Sequence, residues 1–215
     1  EFKVITREVC EQFHALDPLI WDGSEVLTNI GMCDAAYGAV GGDRCPVGWL
    51  QFGKCLDGVI RILFKEMWLC PVTIKKGMIP EDQIASFTSD KMEAVNVLPE
   101  NFFFDGRGSL AMSFARIWSP KVNALEFGGA CTDRPAGPDL FIVDEKGQRR
   151  IKKAKEHFRK FVTEMMWSWR YAIESDQIRG LTLDIILDAQ PREWRKVAGD
   201  KIEIETKKEM RVRTG

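Results

Sequence analysis

The chain has 215 residues, 45% of them hydrophobic and 29% charged, with 31 Lys plus Arg against 32 Asp plus Glu and a net charge of -1. That hydrophobic fraction excludes intrinsic disorder, and no uncharged apolar run approaches the ~18 residues that a membrane-spanning helix needs. Near-neutrality excludes a global attraction to nucleic acid, so any such partner requires a local basic patch. Glu1–Lys3 leads straight into a mixed polar segment, so no signal peptide is expected. The length favours one domain with a sizeable core. The six cysteines form no C-x-x-C pair, and His14 and His157 lie far apart. A structural zinc site and a histidine-based catalytic triad are therefore poorly supported, and the cysteines read as reduced packing thiols. Any enzymatic chemistry has to rest on carboxylates.

In chain order, residues 1–25 read as a lead-in, with a short helix near Val9–Phe13. The apolar run Val26–Cys33 is a strand closed by Asp34, and Pro46–Phe52 is a second. Asp57-Gly58 signals a hairpin turn into a third strand over Val59–Leu69. Pro80-Glu81-Asp82 starts a helix, with proline at the first turn and acids at its positive end. Asn101–Phe104 is a short apolar strand closed by Asp105. Gly106-Arg107-Gly108 is a turn, and Ser109 is the expected cap of a helix carrying Leu110, Phe114, Ile117 and Trp118. Val122–Phe127 is a strand. Leu140–Val143 with the Asp144–Gly147 turn suggests a hairpin. Apolar residues at 3.6-residue spacing from Ala154 through Phe158, Phe161, Val162, Met165, Trp169 and Ile173 predict one long helix over 151–173. Leu181–Leu187 suggests a short helix, Ile202–Glu205 a last strand and Lys207–Arg213 a last helix.

Three antiparallel strands followed by helix, strand, helix, strand and helix is the element order of an RNase H-like (RuvC-like) α/β fold. It has a mixed five-stranded sheet flanked by helices. In that order the first and fourth strands are neighbours. Asp34 and Asp105 then stand at the ends of two adjacent strands about 4.8 Å apart, close enough to share a divalent cation. Carboxylates that close repel one another, and a metal resolves the repulsion. Such a site suits two-metal phosphodiester hydrolysis with Mg²⁺ or Mn²⁺, the hard cations that oxygen ligands select. The plainer alternative is that both aspartates simply terminate strands. Asp43, after Gly41-Gly42, reads first as a turn residue paired with Arg44 and second as an outer metal ligand. Asp184 and Asp188 read as solvated positions. Asp139 with Asp144-x-Lys146 is too closely spaced for a PD-(D/E)xK nuclease and reads as a turn.

The segment Lys146–Lys160 holds eight basic residues against Glu156 alone. It is the local basic patch, with Arg149, Arg150, Lys152 and Lys153 as candidate contacts to DNA phosphates. Arg107 and Arg134 join them from turns. The alternative is a solvated helix face. No base-reading motif is present.

Four segments in order carry a family resemblance: Gly31–Gly38 with Gly41–Arg44, Phe104–Ser109, Phe161–Arg170, and Lys201–Gly215. Together they resemble the nuclease domain of the large terminase subunit, the DNA-packaging motor of tailed bacteriophages. The resemblance implies a metal-dependent endonuclease that cuts concatemeric viral double-stranded DNA. It makes Asp34 and Asp105 the first two metal-binding acids, with the third in or just after a Ser-Pro-Asp segment beyond Gly215. Residues 1–25 would be the end of a linker from an ATPase domain, and 26–215 the nuclease domain. No G-x-x-x-x-G-K-[ST] phosphate loop occurs, so no ATP is expected here. Implied partners are that ATPase domain, the portal protein and the small terminase subunit, with no membrane. The implied setting is the cytoplasm of the infected host, docked transiently on the procapsid. Two other functions fit the residues: a non-catalytic module that docks on DNA or portal, and a resolvase-like nuclease acting on branched DNA.

Overall fold

A computed structural model describes residues 3–9, 18–35, 45–106, 108–182, 185 and 191–214. The expected helices near Val9–Phe13 and Leu181–Leu187 fall mostly outside them. The chain divides into two compact units, Leu19–Glu126 and a second made of Glu1–Pro18 with Phe127–Gly215.

The first unit is built on β1 (Thr28–Asp34), β2 (Pro46–Lys54) and β3 (Ile60–Leu69). These pair antiparallel as a meander, with a register shift at Trp49/Leu50. The β2–β3 turn forms as its Asp-Gly pair predicts. Gly58 takes φ 81°, a region open to glycine at no steric cost, and its N–H donates to the Cys55 carbonyl at 2.8 Å. After α1 (Pro80–Ala94) and a 3₁₀ turn, β4 (Phe102–Asp105) returns parallel to β1. Then α2 (Ser109–Ile117) leads to β5 (Asn123–Leu125), parallel to β4. The five strands lie in the order β5-β4-β1-β2-β3. The mixed arrangement of these five strands is the one read from the sequence, but the sheet has six strands and not five, and β5 is shorter than the expected 122–127.

One face of this sheet packs on the two helices. Cys33, Phe102 and Phe104 are buried against Ile84 and Met92 of α1 and Leu110 and Phe114 of α2. The Phe104 and Phe114 rings lie 4.7 Å apart, and Phe102 meets Trp118 edge-on at 5.2 Å. Gly31 is held to its size by this packing. A Cβ there would sit 2.3 Å from Met92 Sδ and 2.8 Å from the Phe102 ring. The first turn of α1 carries its two acids as expected, and they also clamp α2. Glu81 accepts a hydrogen bond from Ser109 Oγ at 2.8 Å, and Asp82 accepts one from Ser113 Oγ at 2.6 Å and pairs with Arg116. Ser109 is therefore not the cap of α2. Gly108 holds that place, at φ 63° and ψ -121°, where a Cβ is strained. Cys33, Cys45, Cys55 and Cys70 are buried free thiols, and Cys131 is half-buried. Cys33 Sγ and Cys45 Sγ are 3.9 Å apart, and this contact together with burial pushes the Cys33 thiol up from its ordinary value.

The second unit departs further from the sequence reading. The predicted hairpin is present as β6 (Phe141–Val143) and β7 (Arg149–Ile151). Asp144 closes its turn, accepting from the N–H groups of Lys146 and Gln148. But the long helix over 151–173 is not continuous. It is a strand end, then α3 (Ala154–His157), then α4 (Phe161–Glu174). The break has a partner. Phe158 bridges Ile202, and the Arg159 N–H donates to the Ile202 carbonyl at 2.8 Å. Of the α4 residues the spacing marked, Ile173 alone is fully buried. Thr163, Glu164, Trp167 and Ile173 are buried. Thr163 Oγ1 accepts from the Ile204 N–H at 3.2 Å. Glu164 accepts from the Thr132 N–H at 2.7 Å and from its hydroxyl. After a two-residue β8 (Ile178–Arg179) come β9 (Trp194–Val197) and β10 (Lys201–Ile204), an antiparallel pair, and then α5 (Lys207–Thr214). Glu203 of β10 pairs with Lys160, and Glu205 with Arg213.

Arg150, on β7, forms a two-point ion pair with Glu156 of α3 at 2.8 and 2.5 Å. That guanidinium, and then the Lys153 N–H, hold the Glu156 carboxyl at about 2. Glu209 is held at about 2 by the Thr206 N–H and hydroxyl and by Arg195.

Two predictions test this packing. Truncating the central ring, Phe104→Ala, should cost about 3–5 kcal/mol in urea unfolding, and Gly31→Ala about 1–3 kcal/mol by overpacking. The second concerns acid stability. Both glutamates have depressed values in the folded state, so their stabilisation is full above the ordinary value near 4.5 and is lost as pH falls toward about 2. Circular dichroism across that window should show stability falling. Arg150→Met should make the fall shallower, and high salt should blunt the difference.

Candidate functional site

The geometry of the acid pair follows from strand parity. Successive residues of a strand face opposite sides of the sheet. On β1, Gly31 and Cys33 are buried toward α1 and α2, which leaves Met32 and Asp34 on the other face, both exposed. On β4, Phe102 and Phe104 are buried toward the helices, which leaves Phe103 and Asp105 on that same other face, half-buried. The parallel register aligns Gly31 with Phe102, Met32 with Phe103, Cys33 with Phe104 and Asp34 with Asp105. Two carboxylates thus close two adjacent parallel strands, at one end and on one face. Side chains at register partners stand about 4.8 Å apart along the sheet, within the span of one divalent cation.

The residue types suit hard cations: carboxylate oxygens on a rigid strand pair, with the helix-packed face fixing both backbones. Among the described residues, no group of three or more His, Cys, Asp or Glu side chains is gathered as a ligand set. Asp43 and Asp184 lie outside the described residues, as does Arg107.

The basic candidates separate by environment. Arg149 is exposed on β7, and its guanidinium lies 4.0 Å above the Phe141 ring. Arg150 faces the other way, into its ion pair with Glu156. Lys152 is half-buried, and its N–H donates to the Leu140 carbonyl at 2.7 Å. Lys153 pairs with Asp133 at 3.0 Å, and Lys155 joins the same carboxylate at 2.8 Å. The two lysines hold Asp133 below its ordinary value. Arg134 is exposed. The segment is therefore a hairpin and a short helix, which sets aside the alternative of one solvated helix face, and half of its charge is spent internally. The Arg149–Phe141 stack escaped the sequence reading because Arg149 counted only as a charge. The signal was available: Phe-Ile-Val and Arg-Arg-Ile alternate on either side of an Asp-Glu-Lys-Gly turn.

Among the described residues no helix is long and apolar enough to cross a membrane. No protein-family model and no curated protein matches the sequence. Among solved structures, the fold is similar to the nuclease domain of the large terminase subunit gp2 of bacterial virus Sf6. That match has a TM-score of 0.51 over 99% of this chain and 91% of that one, at 13% identity. A mutant of that domain, solved with manganese, matches with a TM-score of 0.50 over 97% and 90%, at 12% identity. At such identity the likeness is one of fold, and the chain has the RNase H-like α/β fold of a phage terminase nuclease domain.

Proposed function

We propose that this chain is a divalent-metal-dependent endonuclease domain that cuts double-stranded viral DNA during genome packaging. The observation that carries the reading is the register alignment of Asp34 with Asp105 at the ends of two adjacent parallel strands. The fold similarity and the manganese in one similar structure support it. Asp34 and Asp105 would hold Mg²⁺ or Mn²⁺ through their carboxylates; Asp43 reads first as a turn residue and second as an outer ligand. The cation, when bound, supplies Lewis acidity toward the phosphate and lowers the pKa of water. The chain's own residues do the rest. The two carboxylates fix where the phosphodiester must lie, and β1 and β4 hold them rigidly because their opposite face is packed. The cations Arg149, Lys152 and Arg134 attract the DNA backbone. Arg150 and Lys153 serve the hairpin first, through their ion pairs.

In this reading residues 1–25 are a lead-in from an ATPase domain of the same parent chain, and 26–215 the nuclease domain. The portal and small terminase subunit are its partners on the procapsid, in the host cytoplasm. A second reading is a non-catalytic module that docks on DNA or portal.

Nicking of supercoiled plasmid separates the two. The nuclease reading expects cutting that needs Mn²⁺ or Mg²⁺ and stops on chelation. Asp34→Asn and Asp105→Asn should each reduce it to background while duplex binding and circular dichroism stay unchanged. Cutting at the wild-type rate in both variants would sink the assignment.

A further inference from the structure

The sheet face that carries the acid pair continues away from it as an apolar floor. Parity puts Phe103 and Met32 on this face, two residues before Asp105 and Asp34 on the same strands. On β2 and β3, Val47 is buried toward the helices and Trp68 packs against the same core. Gly48, Met67 and Leu69 therefore face the other way, with the acids. Register joins these residues in one row across four strands. Phe103 pairs with Met32, Met32 with Gly48 and Gly48 with Met67. Gly48 keeps the middle of the row low. A Cβ there would lie 3.5 Å from the Phe64 ring, which reaches over it. Met32 is 37% exposed and Met67 45%, and Leu69, paired with Pro46 at the start of β2, is 48% exposed. Adjoining exposed apolar side chains mark a contact surface.

The position of the floor limits what can cover it. Residues two apart on a strand are about 6.7 Å apart, so the row begins about one nucleotide step from the carboxylates. A protein surface laid on Phe103, Met32 and Met67 would close Asp34 and Asp105 off from any phosphodiester. The substrate strand itself has no such conflict. In a paired duplex the bases beside the cut are turned inward, and an apolar floor would meet only sugar and phosphate. An unpaired nucleotide can lay its base on the floor instead. The row is suited to any base. Its methionines adapt in shape and polarise against a ring, and its far end is Asn123, paired with Phe103. The Asn123 amide nitrogen is already committed to the Glu100 and Phe102 carbonyls at 2.9 and 3.1 Å.

We propose that Phe103, Met32 and Met67 form a base-binding floor for a nucleotide that is unpaired beside the cut. The domain then acts fastest on DNA whose strand is open at the scissile phosphate, without preference for the base. This deepens the nuclease reading and rests on Asp34 and Asp105 holding that phosphate.

The test uses the full chain with a labelled, fully paired duplex and the same duplex carrying a short mismatched bubble. With Mn²⁺ the wild type should cut at the bubble about tenfold faster than at the same position in the paired duplex. That is the size expected when one base gains a stacking contact and no pair has to open. Met32→Ser combined with Met67→Ser should bring the ratio down toward one. Met32→Leu with Met67→Leu keeps the floor apolar, and should retain most of the ratio at an unchanged melting midpoint. A second readout needs no cutting. With Ca²⁺ in place of Mn²⁺, a fluorescent base analogue at the unpaired position should change its emission on binding the wild type and the leucine variant. It should not change on binding the serine variant at saturating protein.

A wild-type ratio of one would overturn the proposal. So would a serine variant that keeps both the ratio and the emission change. Failure of the underlying reading looks different. Cutting would then persist with Asp34 and Asp105 both replaced, or neither duplex would be cut. In either case the emission change still decides whether the floor holds a base.

Discussion

The parallel pairing of β1 with β4 is the constraint on which the rest depends. It requires a crossover, which α1 provides, and it requires that both strands bury one face against the helices. Once Cys33, Phe102 and Phe104 are committed to that core, parity leaves Asp34 and Asp105 no choice of side. A slip of one residue in either strand would turn one carboxylate into the phenylalanine core, where an unpaired charge is strongly disfavoured. Register, core packing and the acid pair are therefore one decision taken three times. Gly31 shows how tight it is, since the β1 backbone approaches Met92 and Phe102 too closely for any side chain.

The first unit was largely legible in the sequence for the same reason. There β1, β2 and β4 are largely apolar runs that end at a charged residue, and α1 and α2 begin with proline and glycine. The neighbourhood of Asp34 and Asp105 follows from topology rules that leave few alternatives. Two details were not legible. Ser109 resembles a cap, but its hydroxyl is taken by Glu81, and the strained Gly108 backbone starts the helix instead. The short β5 ends before the expected run does.

The second unit was less legible, and the reasons are physical. Apolar residues from Ala154 to Ile173 fit one helical period, but the fit runs across a break. Phe158 leaves the helix to bridge Ile202, so the phase is reset at Phe161. The face that α4 then buries contains Thr163 and Glu164. Both are satisfied by backbone N–H groups from distant segments, which no hydrophobic pattern can reveal. β9 was missed because Trp-Arg-Lys-Val is short and half basic, although the Gly199-Asp200 turn beside it, with both residues at positive φ, was a hairpin signal. The basic run illustrates a similar limit. Counting charges marks the region, but only the structure distinguishes Arg150 and Lys153, which hold the hairpin together, from Arg149, which faces out.

The central claim is that Asp34 and Asp105 act as one divalent-cation site, and metal-linked stability tests it without relying on catalysis. A ligand that binds only the folded state stabilises it by about 2.7 kcal/mol at 100 times its dissociation constant. Thermal unfolding should therefore shift upward as Mn²⁺ is added to the wild-type protein. The shift should vanish in Asp34→Asn and in Asp105→Asn alike, since each change leaves half a site. An equal shift in all three proteins, or none in the wild type, would contradict the account.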